Sequence, residues 1–371
     1  MRFPADCLPA DHADALLVGR VLNSDGPTPV LIRKGEVFDV SAASPTVADL
    51  VERDDLATLA GRRLCTTGEL DAASLLSPID LQCIKAAGVT FAVSAIERVI
   101  EERARGDAGA AAAIRGRLDL RLGADMRAVV PGSPEAARLK AVLIDEGLWS
   151  QYLEVAIGPD AEIFTKAPVL SSVGWGASVG VRGDSHWNNP EPEIVLVADG
   201  RGRVVGATLG NDVNLRDFEG RSALLLGKAK DNNASCALGP FIRMFDAGFT
   251  LDDVRRADVS LTIDGTDGYR LAGASAMAQI SRDPTELVRQ ALSDHQYPDG
   301  FVLFLGTLFA PIQDRDAPGG GFTHKTGDVV RISTPRLGTL TNTVAPSSAA
   351  PPWTFGLRGL IRNLARRGLL T

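Results

Sequence analysis

The sequence predicts an α+β fold that is mainly β, with a smaller N-terminal α+β domain at residues 1–150 and a β-rich body at residues 151–371. Three observations lead to this prediction. The 38 glycines and 21 prolines indicate many turns. Short apolar runs broken by turn residues dominate the second half of the chain, which is typical of strands. Apolar positions at helical spacing are confined to a few segments.

The N-terminal part mixes both kinds of pattern. Residues 1–75 contain short apolar runs such as ALLVGRVL and TPVLIRKGEVFDV, which predict a small α+β unit. Residues 80–116 carry apolar positions at helical spacing with Glu and Arg between them, so this segment is a predicted helix. A second helix is predicted at residues 133–149. The acids of the first helix are interpreted as its solvated face: Glu97, Glu101 and Glu102.

The body is predicted to consist of strands with few helices. Residues 152–182 alternate Gly, Ser and apolar residues, and strand patterns continue to about residue 348. Helices are predicted around residues 219–227, 239–247 and 284–294, the last beginning with DPTEL, where Asp and Pro suit a helix start. The charged, Gly-rich segment 313–328 is a candidate lid or an inert loop.

The C-terminal segment FGLRGLIRNLARRGLL predicts a basic amphipathic helix. We expect it to pack against the body or a second subunit rather than on a membrane.

Composition points to small-molecule chemistry. The formal charge of −7 offers no basic field for nucleic acid or an anionic membrane. No apolar run approaches the roughly 18 residues that a membrane span needs, and the N-terminus lacks a signal-peptide pattern, so we expect a cytoplasmic protein. The four cysteines are widely spaced and form no CxxC pair, which predicts reduced thiols rather than disulfides or a zinc site.

Three acids are predicted to converge on one hairpin. Residues i and i+2 of a strand share a face, so Glu191 and Glu193 point the same way. The run IVLVADGRGRVVGATL places a DGRG turn between two β-branched strands and therefore predicts a hairpin. If the middle two residues centre the turn, Glu191 lies opposite Gly210, and Asp212 shares the face of both glutamates. A slip of one residue would turn Asp212 away.

Three carboxylates on one buried patch repel one another unless a cation neutralises them. Oxygen ligands without a neighbouring cysteine favour Mg²⁺, Mn²⁺ or Ca²⁺ over zinc. The alternative is that the ExE pair is a charged guard on a strand edge, where Pro192 cannot donate a hydrogen bond. The motif alone leaves both interpretations open.

Several segments in order resemble the fumarylacetoacetate hydrolase superfamily. They are NPEPEIVLV, GNDVNLRDFEG, GKAKDNNASCALGPF, FLGTLFAP and GDVVRISTPRLGTLTNTV, and together they span roughly residues 155–348. The resemblance implies a rolled mixed sheet for the body and a metal held by Glu191, Glu193 and Asp212. It also implies that Lys230 reaches the substrate. One departure is that Ala234 and Ser235 stand where the family commonly has a threonine.

Other segments extend the resemblance. AEIFTKAP resembles the family strand that enters the site, which makes Glu162 an acid/base candidate and Lys166 a further candidate. RGDSHWN and the short gap between the ExE pair and the aspartate are similar to the family's 2-keto-3-deoxy-pentonate dehydratases, and so is DLQCIKAAGVTFAVSAIERVIEE. At the position of His186 those enzymes need no histidine.

The resemblance therefore implies a Mg²⁺-dependent hydro-lyase, with Mn²⁺ as a possible substitute. Its substrate would be a 2-keto-3-deoxy-pentonate derived from D-xylonate or D-arabinonate, and its product 2,5-dioxopentanoate. Lys230 would act as base or as an ammonium beside the enolate, and Glu162 would protonate the leaving hydroxyl. Residues near the metal ligands are candidates for binding the sugar hydroxyls: Arg182, Asp184, Ser185, Ser235 and Thr307.

Two other functions stay open at this point. An acylpyruvate or fumarylacetoacetate-type C–C hydrolase, or an oxaloacetate-type decarboxylase, would share the fold, the metal and the enolate chemistry. A metal-binding protein without catalysis is the third possibility, although a metal cage alone needs no adjacent lysine. In each case we expect a homodimer or homotetramer.

Overall fold

A computed structural model describes residues 2–111, 114, 129–145, 147–307, 309, 311, 313–318 and 321–370. Its strands, numbered in chain order, are β1 Leu17–Asn23, β2 Gly26–Arg33, β3 Glu36–Asp39, β4 Arg62–Thr66, β5 Cys83–Gly88, β6 Glu162–Ala167, β7 Ser178–Val181, β8 Asn188–Asn189, β9 Pro192–Ala198, β10 Val204–Asp212, β11 Asn214–Leu215, β12 Cys236–Met244, β13 Asp258–Asp264, β14 Arg270–Ala276, β15 Phe301–Phe304, β16 Val329–Thr334 and β17 Gly338–Pro346.

The described helices are short and lie between the strands. They are α1 Val47–Val51, α2 Ala92–Arg103, α3 Pro134–Asp145, α4 Gln151–Ile157, α5 Arg216–Glu219, α6 Leu226–Lys230, α7 Leu251–Arg255, α8 Pro284–Ala291 and α9 Leu357–Arg366. One-turn 3-10 helices occupy Ala5–Cys7, Thr67–Glu69, Ala72–Ser74, Ala223–Leu225 and Met277–Gln279.

Two mixed sheets form the framework, which confirms the predicted α+β, mainly β fold. The larger has ten strands in the order β4-β3-β2-β1-β12-β10-β9-β15-β5-β6, and the smaller has five in the order β14-β13-β16-β17-β7. Neighbours are antiparallel except for the parallel pairs β15–β5 and β17–β7. A third, two-stranded ladder joins β8 and β11.

The central strand β9 is buried on both faces, which explains its unbroken apolar run. Ile194 and Leu196 enter one hydrophobic cluster, while Val195 and Val197 enter another on the opposite face. Because side chains alternate along a strand, Glu193 continues the row of Val195 and Val197. The sheet therefore carries this acid into the interior next to a packed core.

The helices α2, α3 and α4 share a cluster of their own. Val99 and Ile100 of α2 pack with Leu143 of α3, Leu153 of α4 and the ring of Trp187. The apolar spacing of residues 95–100 is what turns one face of α2 towards these partners. This helical layer reaches the large sheet through Arg98 of α2, which contacts Glu191 just before β9.

Several local predictions were wrong. Residues 83–88, the start of the first predicted helix, form the strand β5, and the helix begins only at Ala92. Residues 239–244 of the segment predicted as a helix at residues 239–247 belong to the strand β12, whose residues are all buried. Residues 151–157, predicted as strand, form α4. In each case a short apolar run fits the periodicity of a helix as well as that of a strand. Whether the segment pairs with neighbouring strands then determines which of the two forms.

Other predictions agree with the structure. The helix α8 begins after Asp283, whose side chain accepts a hydrogen bond from the backbone N–H of Thr285. Residues 219–227 are helical only in part, because α5 ends at Glu219 and α6 begins at Leu226. The predicted helix of residues 80–116 includes residues 112, 113, 115 and 116, which lie outside the described part of the chain.

The C-terminal helix α9 is confirmed and packs on the body. Leu360 and Leu364 contact Leu170, and the side chain of Asn363 donates a hydrogen bond to the carbonyl of Asp25 at 2.7 Å. In the described ranges, no helix combines the length and the apolar character that crossing a bilayer requires. All four cysteines are free thiols.

Both predicted domains contribute to the large sheet. Strands β1 to β5 come from residues 1–150, and β12 pairs directly with β1. The division into domains at residues 1–150 and 151–371 stays a prediction.

Candidate metal and active site

The hairpin of β9 and β10 builds the acidic site, although its register differs from the prediction. Glu193, not Glu191, lies opposite Gly210, and the carbonyl of Glu191 accepts a hydrogen bond from the N–H of Asp212 at 3.0 Å. The strands are thus displaced by two residues from the predicted pairing. One residue comes from a longer turn, which closes at Ala198, and the second from a bulge after Val204. Because side chains alternate between the two faces of a strand, a displacement by two residues leaves Asp212 on the predicted face.

The three carboxylates converge. One oxygen each from Glu191, Glu193 and Asp212 lies within 4.8 Å of the others, and all three residues are buried. Glu193 accepts a hydrogen bond from the backbone N–H of Gly306 at 2.7 Å. Burial, together with the charges of Asp212 and Glu191, raises the pKa of Glu193 well above its usual value. This mutual repulsion is what a bound cation would relieve.

Two buried lysines contact carboxylates of this group. The Lys230 amine contacts Glu191 Oε2 and donates to Asp212 Oδ2 at 3.0 Å. Burial disfavours its charge, but Asp212 and Glu191 outweigh burial and raise the pKa of Lys230 above its usual value. Lys166 Nζ lies 2.7 Å from Asp212 Oδ1 and is fully buried. Burial raises the pKa of Asp212, but the charges of Lys166 and Lys230 outweigh it and hold that pKa below its usual value.

The backbone around Lys230 is held by its neighbours. Lys166 Nζ donates to the carbonyl of Lys230, and the hydroxyl of Ser235 donates to the same carbonyl at 2.7 Å. Lys230 ends the short helix α6, so its side chain leaves the helix towards the hairpin. Lys228, two residues earlier, is exposed.

Arg98 is a part of the site that the sequence analysis did not identify. It projects from α2, contacts Glu191 Oε1, and forms ion pairs with Glu101 at 2.6 Å and Glu219 at 2.8 Å. The apolar positions of α2 place residue 98 at the border of the buried stripe. From the sequence alone, this border is equally the edge of the solvated face of the helix. No signal in the sequence therefore distinguished a buried Arg98 from an exposed one.

The interpretation of Glu101 as part of a solvated face was wrong. Its exposed fraction is 1%, and it forms a second ion pair with Arg216 at 3.1 Å. Buried charges on a helix can be recognised only once their partners are known, and Arg216 lies more than a hundred residues away.

The acids and Lys230 line a cavity of about 30 Å³, which is room for a water molecule or an ion. Other residues in its wall include Gly88, Ser94, Arg98, Glu162, Phe164 and Thr307. Glu162 pairs with Gly88 across β6 and β5, and a Cβ at Gly88 would lie 2.1 Å from Glu162 Oε2, so this approach requires glycine. Burial and the charge of Glu219 raise the pKa of Glu162 to about 7.

The charges of this cluster do not balance. Its carboxylates, which line the cavity or are linked to it by ion pairs, are Glu101, Glu162, Glu191, Glu193, Asp212 and Glu219. Its cations are Arg98, Lys166, Arg216 and Lys230. With every group ionised, two negative charges remain. One divalent ion would restore neutrality, and the oxygen ligands suit a hard cation such as Mg²⁺.

The residues predicted to bind sugar hydroxyls are scattered. Thr307 lines the cavity. Arg182 and Asp184 pair with each other at 2.8 Å, and Ser185 donates to Asp217 at 2.9 Å. These three and Ser235 are not among the residues lining the cavity, so their substrate contacts stay a prediction.

The candidate lid is anchored by one buried arginine. Arg315 pairs with Asp328 at 2.6 Å and with Asp267 at 3.0 Å. Residues 319 and 320 lie outside the described chain, and the role of the segment as a lid stays a prediction.

The chain is similar to several known proteins. The family model described as fumarylacetoacetate (FAA) hydrolase C-terminal matches residues 158–345. The chain is 33% identical over 193 residues to a probable 2-keto-3-deoxyxylonate dehydratase of Haloferax volcanii, covering 52% of this chain and 63% of the relative. It is 32% identical over 182 residues to a 2-dehydro-3-deoxy-D-arabinonate dehydratase of Saccharolobus solfataricus, covering 48% of this chain and 57% of the relative. The chain thus matches less than two thirds of either relative.

Solved structures share the fold. The apo form of a 2-keto-3-deoxy-D-arabinonate dehydratase has a TM-score of 0.65 and 21% identity, covering 89% of this chain and 99% of its own. The same kind of enzyme, complexed with magnesium and 2,5-dioxopentanoate, has a TM-score of 0.63 at 21% identity, with the same coverage.

Proposed function

This chain belongs to the fumarylacetoacetate hydrolase family, and from that premise we propose that it is a magnesium-dependent hydro-lyase. Its substrate is a 2-keto-3-deoxy-pentonate and its product 2,5-dioxopentanoate. The observation that carries the proposal is the convergence of Glu191, Glu193 and Asp212 within 4.8 Å in a buried cavity beside Lys230. The names of both curated relatives support the choice of substrate class.

Glu191, Glu193 and Asp212 would hold the ion, and their three carboxylates leave positions open for a substrate. When bound, Mg²⁺ would supply positive charge beside the keto oxygen and so stabilise the negative charge that develops there as C3 loses its proton. The excess of carboxylates over basic groups in the cluster supports a bound cation, and the oxygen ligands suit a hard one such as Mg²⁺.

The reaction removes one proton from C3 and hydroxide from C4, which together leave as water. The new C3=C4 double bond is conjugated with the keto group and makes the C5 hydrogen acidic. Loss of one C5 proton and of the C5 hydroxyl proton, with protonation of C4 and C3, then converts the terminal alcohol to an aldehyde. The protein must therefore handle a proton at C3 and another at the departing hydroxyl.

Lys230 is proposed to act at C3. Its amine is buried beside two of the proposed metal ligands, where it can take the C3 proton or remain an ammonium that stabilises the enolate. The contacts with Glu191 and Asp212 favour the ammonium form. Burial of an amine with no carboxylate partner would instead favour the neutral base.

Glu162 is proposed to protonate the leaving hydroxyl. It lines the same cavity as the three acids, and its pKa of about 7 leaves much of it protonated near neutral pH. An exposed glutamate would be almost fully ionised there and a poor acid.

The cavity also favours a dehydratase over a C–C hydrolase. Hydrolysis requires a group that activates water, and histidine is the most common one. No histidine is among the described residues that line the cavity. His324 is buried 3.3 Å from Asp328 on the separate 313–328 segment, and His186 is exposed.

The test compares a small panel of substrates under two conditions. Protein stripped with EDTA is incubated with a 2-keto-3-deoxy-pentonate, an acylpyruvate and oxaloacetate, with and without Mg²⁺ or Mn²⁺. We expect consumption of the first substrate only, and only after metal is restored. Full activity of the stripped protein, or preference for either other substrate, would refute the proposal. A cytoplasmic location and a homodimeric or homotetrameric state remain predictions.

A further inference from the structure

Arg98 joins three carboxylates that come from three parts of the chain. Glu101 lies one turn further along α2, Glu219 ends α5, and Glu191 precedes β9. The exposed fraction of the Arg98 side chain is only 11%. A buried guanidinium with acids on several sides is fixed in orientation, because its five N–H groups lie in one rigid plane.

The contact with Glu191 is directional. Arg98 contacts Oε1 of Glu191, whereas Lys230 contacts Oε2, the oxygen on the side of Asp212. The two cations therefore hold the carboxylate from opposite ends. Without Arg98, the glutamate could rotate about its last side-chain bonds, which are soft torsions.

The acids beyond Arg98 hold it in place. Glu101 is itself tied to Arg216 of α5, and the Tyr152 hydroxyl of α4 donates to the carbonyl of Glu219 at 3.1 Å. One turn before Arg98 on the same helix, the hydroxyl of Ser94 donates to the carbonyl of Thr307. The helical layer is thus joined to the hairpin site by polar contacts, and Arg98 is its direct link to a proposed metal ligand.

We infer that Arg98 is a positioning residue, which orients Glu191 for the divalent ion and couples helix α2 to metal affinity. The inference rests on the metal site of the proposed function. The charge of Arg98 alone would have the opposite effect on metal affinity. A nearby cation repels Mg²⁺, so an arginine that only neutralised Glu191 would weaken metal binding. Positioning and neutralisation therefore predict opposite effects when Arg98 is changed.

The experiment titrates Mn²⁺ into metal-stripped protein and follows the free ion by EPR, without substrate. Arg98→Lys keeps the charge but cannot reach three carboxylates in one plane, and Arg98→Met removes the charge. We expect both variants to bind Mn²⁺ at least ~10-fold more weakly, the usual scale for a residue that orients a metal ligand. The control is Arg103→Met on the same helix, because Arg103 is exposed and donates to the backbone carbonyl of Gly147.

The possible outcomes are distinct. Wild-type affinity in Arg98→Lys, or tighter binding in Arg98→Met, would overturn the positioning role while leaving the metal site intact. Absence of Mn²⁺ binding by the wild type would overturn the metal site and this inference together. Should Arg98→Met fail to fold, as judged by circular dichroism, Arg98→Lys alone decides the question.

Discussion

At the scale of single residues, the site depends on charges that are buried and paired. Glu193, Asp212, Lys166 and Lys230 are each nearly inaccessible to water, and each contacts another member of the cluster or a backbone group. A buried charge is tolerated only with such partners, and removing one partner leaves the other uncompensated. A substitution here can change the chemistry, the metal binding or both, so each variant is measured for turnover and for Mn²⁺ binding.

Lys230→Met tests the residue proposed to act at C3. Methionine keeps much of the side-chain volume and removes the amine, so packing should change little. We expect kcat to fall by at least ~10²-fold, the scale of a positioned proton-transfer group, while Mn²⁺ binding persists. Lys228→Met is the matched control, because Lys228 lies on the same helix but is exposed, and its amine lies over the ring of Phe218 rather than in the cavity. Near-normal turnover of Lys230→Met would remove the lysine from the mechanism.

Glu162→Gln tests the proposed acid. The raised pKa, about 7, means that Glu162 loses its proton as pH rises through neutrality, so the wild-type rate should fall above that pH. The glutamine cannot donate a carboxyl proton, and elimination should be slow at every pH while deuterium exchange at C3 continues. Glu135→Gln, at an exposed ion pair with Arg138, serves as the control. Wild-type elimination by Glu162→Gln, or loss of the exchange, would contradict the assignment.

At the scale of elements, the hairpin shows what the sequence could and could not predict. The alternation of Glu191 and Glu193 and the position of the DGRG turn predicted the face of the three acids. The length of the turn and the bulge after Val204 were not predictable, because both depend on how β10 pairs with β12 as well as with β9. The predicted face is correct because the two displacements cancel.

Asp199→Ala tests the turn that sets this register. The buried Asp199 carboxylate accepts hydrogen bonds from the backbone N–H groups of Arg201 at 3.0 Å and Arg203 at 2.9 Å. Their loss should reduce the free energy of unfolding by about 1 to 3 kcal/mol, measured as a lower urea midpoint. Asp54→Ala, whose side chain is 81% exposed, should stay within about 0.5 kcal/mol of wild type. Equal midpoints for the two variants would mean that the turn does not depend on Asp199.

The helices were harder to predict than the hairpin. The run of apolar residues at 236–244 is equally compatible with a buried strand and a buried helix, and pairing with β1 and β10 makes it a strand. The site residues on α2 show the same limit. The hairpin pattern led to the three acids and the family resemblance to Lys230 and Glu162, but nothing in the sequence marked Arg98 as a site residue, because its role depends on distant partners.

At the scale of the whole molecule, the fold brings together residues from all along the chain. The large sheet places β5, β6, β9 and β10 so that Gly88, Glu162, Glu193 and Asp212 surround one cavity, and the helical layer adds Arg98. The overall charge of −7 says little about this site. The local excess of carboxylates over basic groups is the property that matters, because a bound cation relieves the repulsion among the carboxylates.

The most direct test of the proposed reaction is NMR of the product formed in D₂O with Mg²⁺ from a 2-keto-3-deoxy-pentonate. Elimination followed by tautomerisation with protons from solvent predicts a five-carbon product with an aldehyde at C5 and deuterium at both C3 and C4, and no product in the presence of EDTA. Fragments with fewer carbons would indicate cleavage or decarboxylation. Either of those, or the same product without metal, would contradict the account.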